Sequence, residues 1–190
     1  MPAGHQETEI KLPLDSAAQG RRLLSRAGFR VRRRRVHEEN WVLDTPDFSL
    51  RSHGRLLRVR RAGPLATLTF KGQIAADKHK SRPESETAVA DPEAALEILR
   101  GLGFQVVFRY EKYRTEYAKN ALGGFISLDE TPIGVFMEIE GEGDWIDQTA
   151  AVLNFSESVY ITASYTALYE AFRLRHGGRS DAMLFLPREY

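Results

Sequence analysis

The sequence predicts an α+β protein led by an antiparallel β-sheet, and three observations carry that prediction. Most of the chain divides into short runs in which apolar and polar residues alternate with a period of two, and only a few segments show helical spacing. Turn-forming groups separate the runs, among them Asp44-Thr45-Pro46-Asp47, Ala62-Gly63-Pro64 and Leu122-Gly123-Gly124. The polar positions of the runs are largely charged, and their signs sort strand by strand.

Strands are expected over 7–12, 30–36, 40–44, 56–61, 66–71, 84–89, 109–117, 125–129 and 136–140. A first helix over 16–27 follows Pro13, takes Asp15 or Ser16 as its N-cap and stops at Gly28. A second over 92–102 is capped by Asp91, carries Pro92 in its first turn and is ended by Gly101 and Gly103. Its Leu96, Leu99 and Leu102 share a face. Further helices are expected over 145–153 and 162–175, the last ended by Gly177 and Gly178. The Lys-rich polar stretch 72–83 reads as a mobile loop. The expected organisation is a single domain over 1–178 with a C-terminal tail over 179–190.

Side chains alternate across a strand, so residues two apart share a face. Glu7, Glu9 and Lys11 lie together; so do Arg58 and Arg60, then Thr67, Thr69 and Lys71, and then Glu84 and Glu86. Tyr110, Lys112, Arg114 and Glu116 share a face, as do Ser127 and Asp129, and Glu138 and Glu140. The opposite faces carry Leu57 and Val59, then Ala66, Leu68 and Phe70, then Met137 and Ile139, while Phe125 and Leu128 are of mixed register. A half-exposed sheet with its charges in water gives the same alternation. Solvated faces, however, usually intersperse signs, whereas here whole strands are acidic or basic. Closing the sheet with this face inward makes a polar barrel interior, with the apolar outer face covered by helices. Isolated buried charges cost several kcal/mol each, so such an interior must be held by mutual pairing, water, metal and ligand.

The bulk numbers limit the alternatives. At 190 residues, 42% hydrophobic and 28% charged, the chain is long enough to bury one core. The absence of cysteine removes disulfides, thiolate metal sites and thiol catalysis, and suits a reducing compartment. The N-terminus M-P-A-G-H-Q shows no apolar signal core, and no apolar run is long enough to span a membrane, so a cytoplasmic protein without membrane contact is expected. Arginines concentrate between Arg21 and Arg61, but the run 32–35 reads as a solvated strand or loop end, and no specific nucleic-acid site is expected. His5, His37, His53, His79 and His176 are scattered without ligand spacing. Trp41 and Trp145 read as wall packing rather than as platforms for a base.

E-T-E-I-K at 7–11 resembles the E-x-E-x-K signature of the CYTH superfamily, the triphosphate tunnel metalloenzymes. R-L-L-R-V-R-R (55–61), L-T-F-K-G (68–72), R-P-E-S-E (82–86), E-K-Y-R (111–114), I-S-L-D-E (126–130) and G-V-F-M-E-I-E-G (134–141) follow in order, so the resemblance spans residues 5 to 170. It implies an eight-stranded antiparallel closed β-barrel with a charged interior, open at both ends, with helices packed outside. Glu7, Glu9, Glu138 and Glu140 would then be metal ligands, with Asp129 and Glu86 as further acidic contributors. Lys11, Arg58, Arg60, Lys71 and Arg114 would hold phosphates, and Arg82 and Lys112 would assist. The catalytic set so implied is Glu7, Glu9, Lys11, Arg58, Arg60, Lys71 and Arg114. Tyr165 matches a recurring family tyrosine whose role the sequence does not supply, and Arg173 or Arg175 stands where the family has a C-terminal basic contact. All-oxygen acidic ligands favour Mg²⁺ or Mn²⁺ over Zn²⁺.

Three functions follow from these residues. One is a metal-dependent triphosphatase acting on tripolyphosphate, thiamine triphosphate or ATP. Another is an adenylyl cyclase of the same superfamily; some cyclase relatives carry His-Phe ahead of the signature where this chain has His5-Gln6, which favours hydrolysis. The third is a non-catalytic binder of polyphosphate or nucleotide, which would gain nothing from four inward glutamates unless metal intervened. A monomer or homodimer is expected.

Overall fold

The computed structural model describes residues 5–75, 78–119, 123–177 and 180–186, with the backbone alone at His5. Leu122 of the expected turn, Gly178, and residues 179 and 187–190 of the expected tail lie outside the described residues. The strands are β1 His5–Leu14, β2 Arg30–Asp44, β3 Leu56–Ala62, β4 Leu65–Lys71, β5 Lys80–Val89, β6 Gln105–Ala118, β7 Gly124–Thr131, β8 Gly134–Gly141 and the short β9 Ala182–Met183. The helices are α1 Ala17–Arg26, α2 Ser49–Ser52, α3 Pro92–Gly101, α4 Gly143–Val152 and α5 Tyr165–His176, with a 3-10 turn at Glu157–Val159.

Eight of the strands run antiparallel in the order β2-β3-β4-β5-β1-β8-β7-β6, and pairing of β2 with β6 closes them into a barrel. β9 lies parallel to β6 at Arg109–Tyr110, below the stretch from Tyr113 to Tyr117 that pairs with β7. The closing strands are the long ones. β2 runs unbroken where two strands, 30–36 and 40–44, were expected, and its pairing with β6 shifts register between Val31 and Arg33, between Arg33 and Val36, and between Val42 and Leu43. Such irregularities let a long strand bend around a barrel while keeping its pairing.

The helices form where their caps allow. Ser16, not Asp15, caps α1 by accepting from the Gln19 amide at 3.2 Å, Asp91 caps α3, and Ser164 caps α5, which therefore begins at Tyr165 rather than at 162. Gly177 ends α5 in the left-handed region at φ 70°, a conformation glycine adopts without penalty. On α3 only Leu96 and Leu99 are buried; Leu102 falls after the helix and is 69% exposed, so the expected three-leucine face is a two-leucine face.

The apolar core forms three clusters under the helices, two outside the barrel and the third on inward-facing residues of β2, β6 and β8 where α5 packs. Ile10, Leu12, Ile126, Leu128, Met137 and Ile139 pack with Leu24 of α1 and Ile146 and Ala150 of α4. Leu57, Val59, Trp41 and Leu43 pack with Leu96 and Leu99 of α3. Phe108, Tyr110 and Phe136 pack with Tyr165 and Tyr169 of α5 and Met183 of β9. Ile126 and Leu128 face out while Phe125 lines the interior, which resolves the mixed register of β7. Phe70 stays 40% exposed, so the outer face is not wholly covered. Both tryptophans are wall packing: Trp41 belongs to the α3 cluster, and Trp145 lies on the backbone of Gly124 and Gly141. At Gly124 a Cβ would meet the Glu140 carbonyl oxygen at 2.1 Å, so glycine is required there for close approach.

Leu128 is 1% exposed at the centre of the largest cluster. Leu128→Ala is expected to lower unfolding stability by about 2–5 kcal/mol in a denaturant titration, through lost burial and the cavity left behind.

Candidate functional site

The barrel encloses a cavity of about 620 Å³ that is lined mainly by charged side chains. The strand register puts acid beside base. Glu7 is directly opposite Arg82, Glu9 opposite Lys80 on one side and Glu140 on the other, and Lys11 opposite Glu138. Lys71 faces Glu84, Glu38 faces Lys112, and Arg114 faces Asp129.

The pairs join into two chains of contact. Lys71 is hydrogen-bonded to Glu7 and lies 2.8 Å from Glu84, while Arg82 reaches Glu7 at 3.3 Å. Lys80 and Lys11 share Glu9, and Lys11 also lies 3.4 Å from Glu138. On the far wall Arg114 is bonded to Glu138 and grips Asp129 with two nitrogens at 2.7 and 2.6 Å; Lys112 bonds Asp129 at 2.8 Å and Tyr165 donates to it at 2.7 Å. Glu38 lies 3.4 Å from Arg60 and 3.6 Å from Lys112.

These contacts decide the protonation states. Burial alone would raise Glu9, but Lys11, Lys80 and Lys71 hold it well below the carboxylate range, and burial of Glu138 is likewise overcome by Arg114, Lys112 and Lys11. Glu38 is brought down to about 2 against its burial, chiefly by Arg60 and Lys112. Burial lowers Lys80 to about 8, with Lys11 and Arg82 adding repulsion that Glu9 only partly offsets. Tyr110 is lowered to about 8 against its burial by Arg58, Arg60 and Lys112. Glu140 is the exception among the carboxylates. It has no ion-pair partner within reach among the described residues, and burial together with the charges of Glu7 and Glu9 pushes it up to about 8.

Of the residues expected at the site, Glu7, Glu9, Lys11, Arg58, Arg60, Lys71, Arg82, Glu86, Lys112, Arg114, Glu138 and Glu140 all line the cavity. Asp129 does not. It is 0% exposed, and its oxygens accept from Arg114, Lys112 and Tyr165. Glu86 accepts from Thr69 at 2.6 Å beside Arg58, which separates it from the Glu7, Glu9 and Glu140 group. Arg173 and Arg175 stay outside the cavity, and Arg173 pairs with Asp181. His37, His53, His79 and His176 lie outside it too, and the side chain of His5 lies outside the described residues. In the arginine run, Arg32 and Arg33 pair with Glu116 and Arg35 with Glu130, and only Arg33 reaches the cavity.

Besides Arg33, two site residues escaped the sequence reading. Lys80 fell in the stretch taken as a loop, yet β5 begins at it, and the even spacing Lys80, Arg82, Glu84, Glu86 is the signal that extends the strand. Glu38 is 1% exposed and points inward, but it adjoins Glu39 in the chain, so alternation of charge could not mark it.

Whether a metal suits these residues can be judged from their charge. Among the described residues no three acidic or imidazole side chains converge closely enough to hold an ion in this arrangement, because most carboxylates are turned to a basic partner. Glu7, Glu9 and Glu140 nevertheless repel one another across two neighbouring strands, and their oxygens are the donors a hard divalent cation takes. The donor chemistry fits.

Fold and site together define a closed antiparallel β-barrel with a paired-charge interior and helices outside. The chain belongs to the CYTH domain family, whose pattern matches residues 5–164. It is 27% identical over 172 residues to a Methanocaldococcus jannaschii protein named as a candidate adenylate cyclase, covering 85% of this chain and 97% of that one. A Vibrio parahaemolyticus structure, also described as a candidate adenylate cyclase, superposes with TM-score 0.75 at 21% identity, covering 88% of this chain and 99% of that one. A Hippeastrum protein described as an adenylyl cyclase candidate with a dominant triphosphatase activity superposes with TM-score 0.65 at 22% identity, covering 87% and 96%. The last two similarities bear on the fold alone.

Because the folded pKa of Glu140 lies above its ordinary 4.5, the stability it contributes is full below about pH 4.5 and is lost as pH rises through about 8. In metal-free buffer Glu140→Gln is therefore expected to melt close to wild type at pH 5 and at progressively higher temperature than wild type up to pH 8 and above. Parallel melting curves across that range check it.

Proposed function

We propose that the barrel is a divalent-metal-dependent triphosphatase that holds a triphosphate along its basic residues and hydrolyses the terminal phosphoanhydride. The observation that carries this reading is the interleaving of nine basic and seven acidic side chains around one cavity. A pure anion binder would gain nothing from the acids, and a pure cation binder nothing from the bases.

Phosphoryl transfer asks the protein for positioning and charge stabilisation rather than covalent chemistry. Lys11, Arg58, Lys71, Arg82, Lys112 and Arg114 are buried donors already oriented by carboxylates, so they meet phosphate oxygens with little reorganisation. Among the described residues the buried Nε of Arg58 has no hydrogen-bond partner, which leaves it a donor for such an oxygen. Arg60 adds charge from the Asn40 and Glu38 side of the barrel. Glu7, Glu9 and Glu140, with Glu138 behind them, would hold Mg²⁺ or Mn²⁺, which supplies Lewis-acid neutralisation of phosphate charge. A carboxylate of the same group orients water toward the terminal phosphorus and accepts its proton.

The adenylyl cyclase reading is kept alongside because the 27% identical relative carries that name. The cavity would be the same, with the ribose 3′-hydroxyl as nucleophile and pyrophosphate leaving. Products from tripolyphosphate, thiamine triphosphate and ATP, measured with Mg²⁺ and Mn²⁺ separately, separate the two. Phosphate release supports hydrolysis, cyclic AMP with pyrophosphate supports the cyclase, and tight binding without turnover supports neither.

Arg58→Ala is expected to lower the rate of phosphate release by roughly 10²–10³-fold, the usual loss for one preorganised electrostatic contact. Glu9→Ala or a chelator should abolish metal-dependent release, and full release by Glu9→Ala would sink the triphosphatase reading.

A further inference from the structure

We infer that Tyr165 is a positioning residue whose ring gathers the ammonium groups of Lys11 and Lys112 into one seat for an end of the phosphate chain. The inference deepens the proposed function and rests on it for the nature of the ligand.

The geometry is unusual for a tyrosine whose neighbours otherwise read as core. Lys11 Nζ lies 5.4 Å and Lys112 Nζ 4.9 Å from the centroid of the same ring. The two lysines come from β1 and β6, which are separated by β8 and β7 in the sheet, so strand pairing alone does not bring them together. Both are almost completely buried, at 2% and 1% exposure, where like charges repel more strongly than in water. An aromatic face attracts both and offsets that repulsion.

Each ammonium group also has carboxylate partners: Glu9 and Glu138 for Lys11, and Asp129 and Glu38 for Lys112. Those acids neutralise the lysines, and the ring gives the two charges a common location. The Tyr165 hydroxyl donates to Asp129 at 2.7 Å, which fixes the ring's rotation and ties it to the acid that holds Lys112 and Arg114.

The ring itself is held by α5 and by aromatic residues on the inward faces of β6 and β8. Tyr165 is the first residue of α5, capped by Ser164, and packs on Tyr110 at 5.7 Å and edge-on to Phe136 at 5.9 Å. One turn on, Tyr169 packs on Phe108 at 5.6 Å. Among the described residues Ser164, Tyr165 and Thr166 are the part of the cavity lining that does not come from the eight barrel strands. The helix thus reaches the interior at one place, and there it meets two of the cations assigned to phosphate.

A purely structural tyrosine and a positioning one differ in what replaces them. Tyr165→Leu removes the aromatic face, and Tyr165→Phe keeps it while losing the hydroxyl bond. Tyr165→Leu is expected to raise the KM for tripolyphosphate about ten- to thirtyfold with a much smaller change in kcat, and Tyr165→Phe to stay within about threefold of wild type. In the ligand-free protein, proton NMR should show two lysine ε-methylene signals shifted upfield by the ring in wild type and Tyr165→Phe, and unshifted in Tyr165→Leu. Equal KM values for the Leu and Phe variants, or a wild-type spectrum without upfield-shifted lysines, would overturn the inference. The wild-type spectrum decides the matter even where Tyr165→Leu does not fold. If wild type turns over no triphosphate, the functional reading fails while the spectrum still tests whether the ring gathers the lysines.

Discussion

The structure depends on neutralising charge inside a closed barrel. Lysines, arginines and carboxylates buried inside a barrel are tolerable when most of them have opposite charge beside them. Strand register supplies this: Glu7 meets Arg82, Glu9 meets Lys80, Lys11 meets Glu138, Glu38 meets Lys112 and Arg114 meets Asp129 across adjacent strands. A slip of one residue on any strand would turn its charges outward into the helices and its apolar residues inward. The pairing therefore holds the register as firmly as the apolar face does.

Paired charges at this depth contribute little net stability, since desolvation cancels much of their attraction. Most of the stabilising burial is on the outside, where Ile10, Leu12, Leu128, Met137 and Ile139 lie under α1 and α4 and Leu57 and Val59 under α3, while α5 packs on apolar residues of the inward faces. Apolar burial and charge are thereby largely assigned to opposite faces of the same strands. This leaves the inner face free to be electrostatically unbalanced at one point. Glu140 faces Glu9 with no ion-pair partner among the described residues, and the more distant charges of Lys71 and Arg114 only partly offset its burial and the repulsion of Glu7 and Glu9.

Much of this was legible in the chain because period-two alternation survives folding. The inward parity of Glu7, Glu9 and Lys11, of Arg58 and Arg60, of Lys112 and Arg114, and of Glu138 and Glu140 corresponds to the cavity lining. The losses have physical causes. Asp129 has the right parity, but its oxygens are consumed by Arg114, Lys112 and Tyr165, and parity carries no information on partners. Lys80 was hidden by the polar residues ahead of it, which read as a loop, until pairing with β1 makes Lys80 the start of a strand. Arg33 was hidden by a register shift that breaks the alternation in β2.

The sequence by itself determined the class of fold, the two faces of each strand and nearly all of the interior charges, because these follow from local periodicity and from turn and cap chemistry. Tertiary structure alone decided which acid neutralises which base, which glutamate is left over, and where α5 enters the barrel. Those outcomes depend on closure through β2 and β6 and on contacts between residues distant in the chain, such as Tyr165 with Lys11 and Lys112. No local pattern encodes them, since the energy of a buried charge depends on everything that surrounds it.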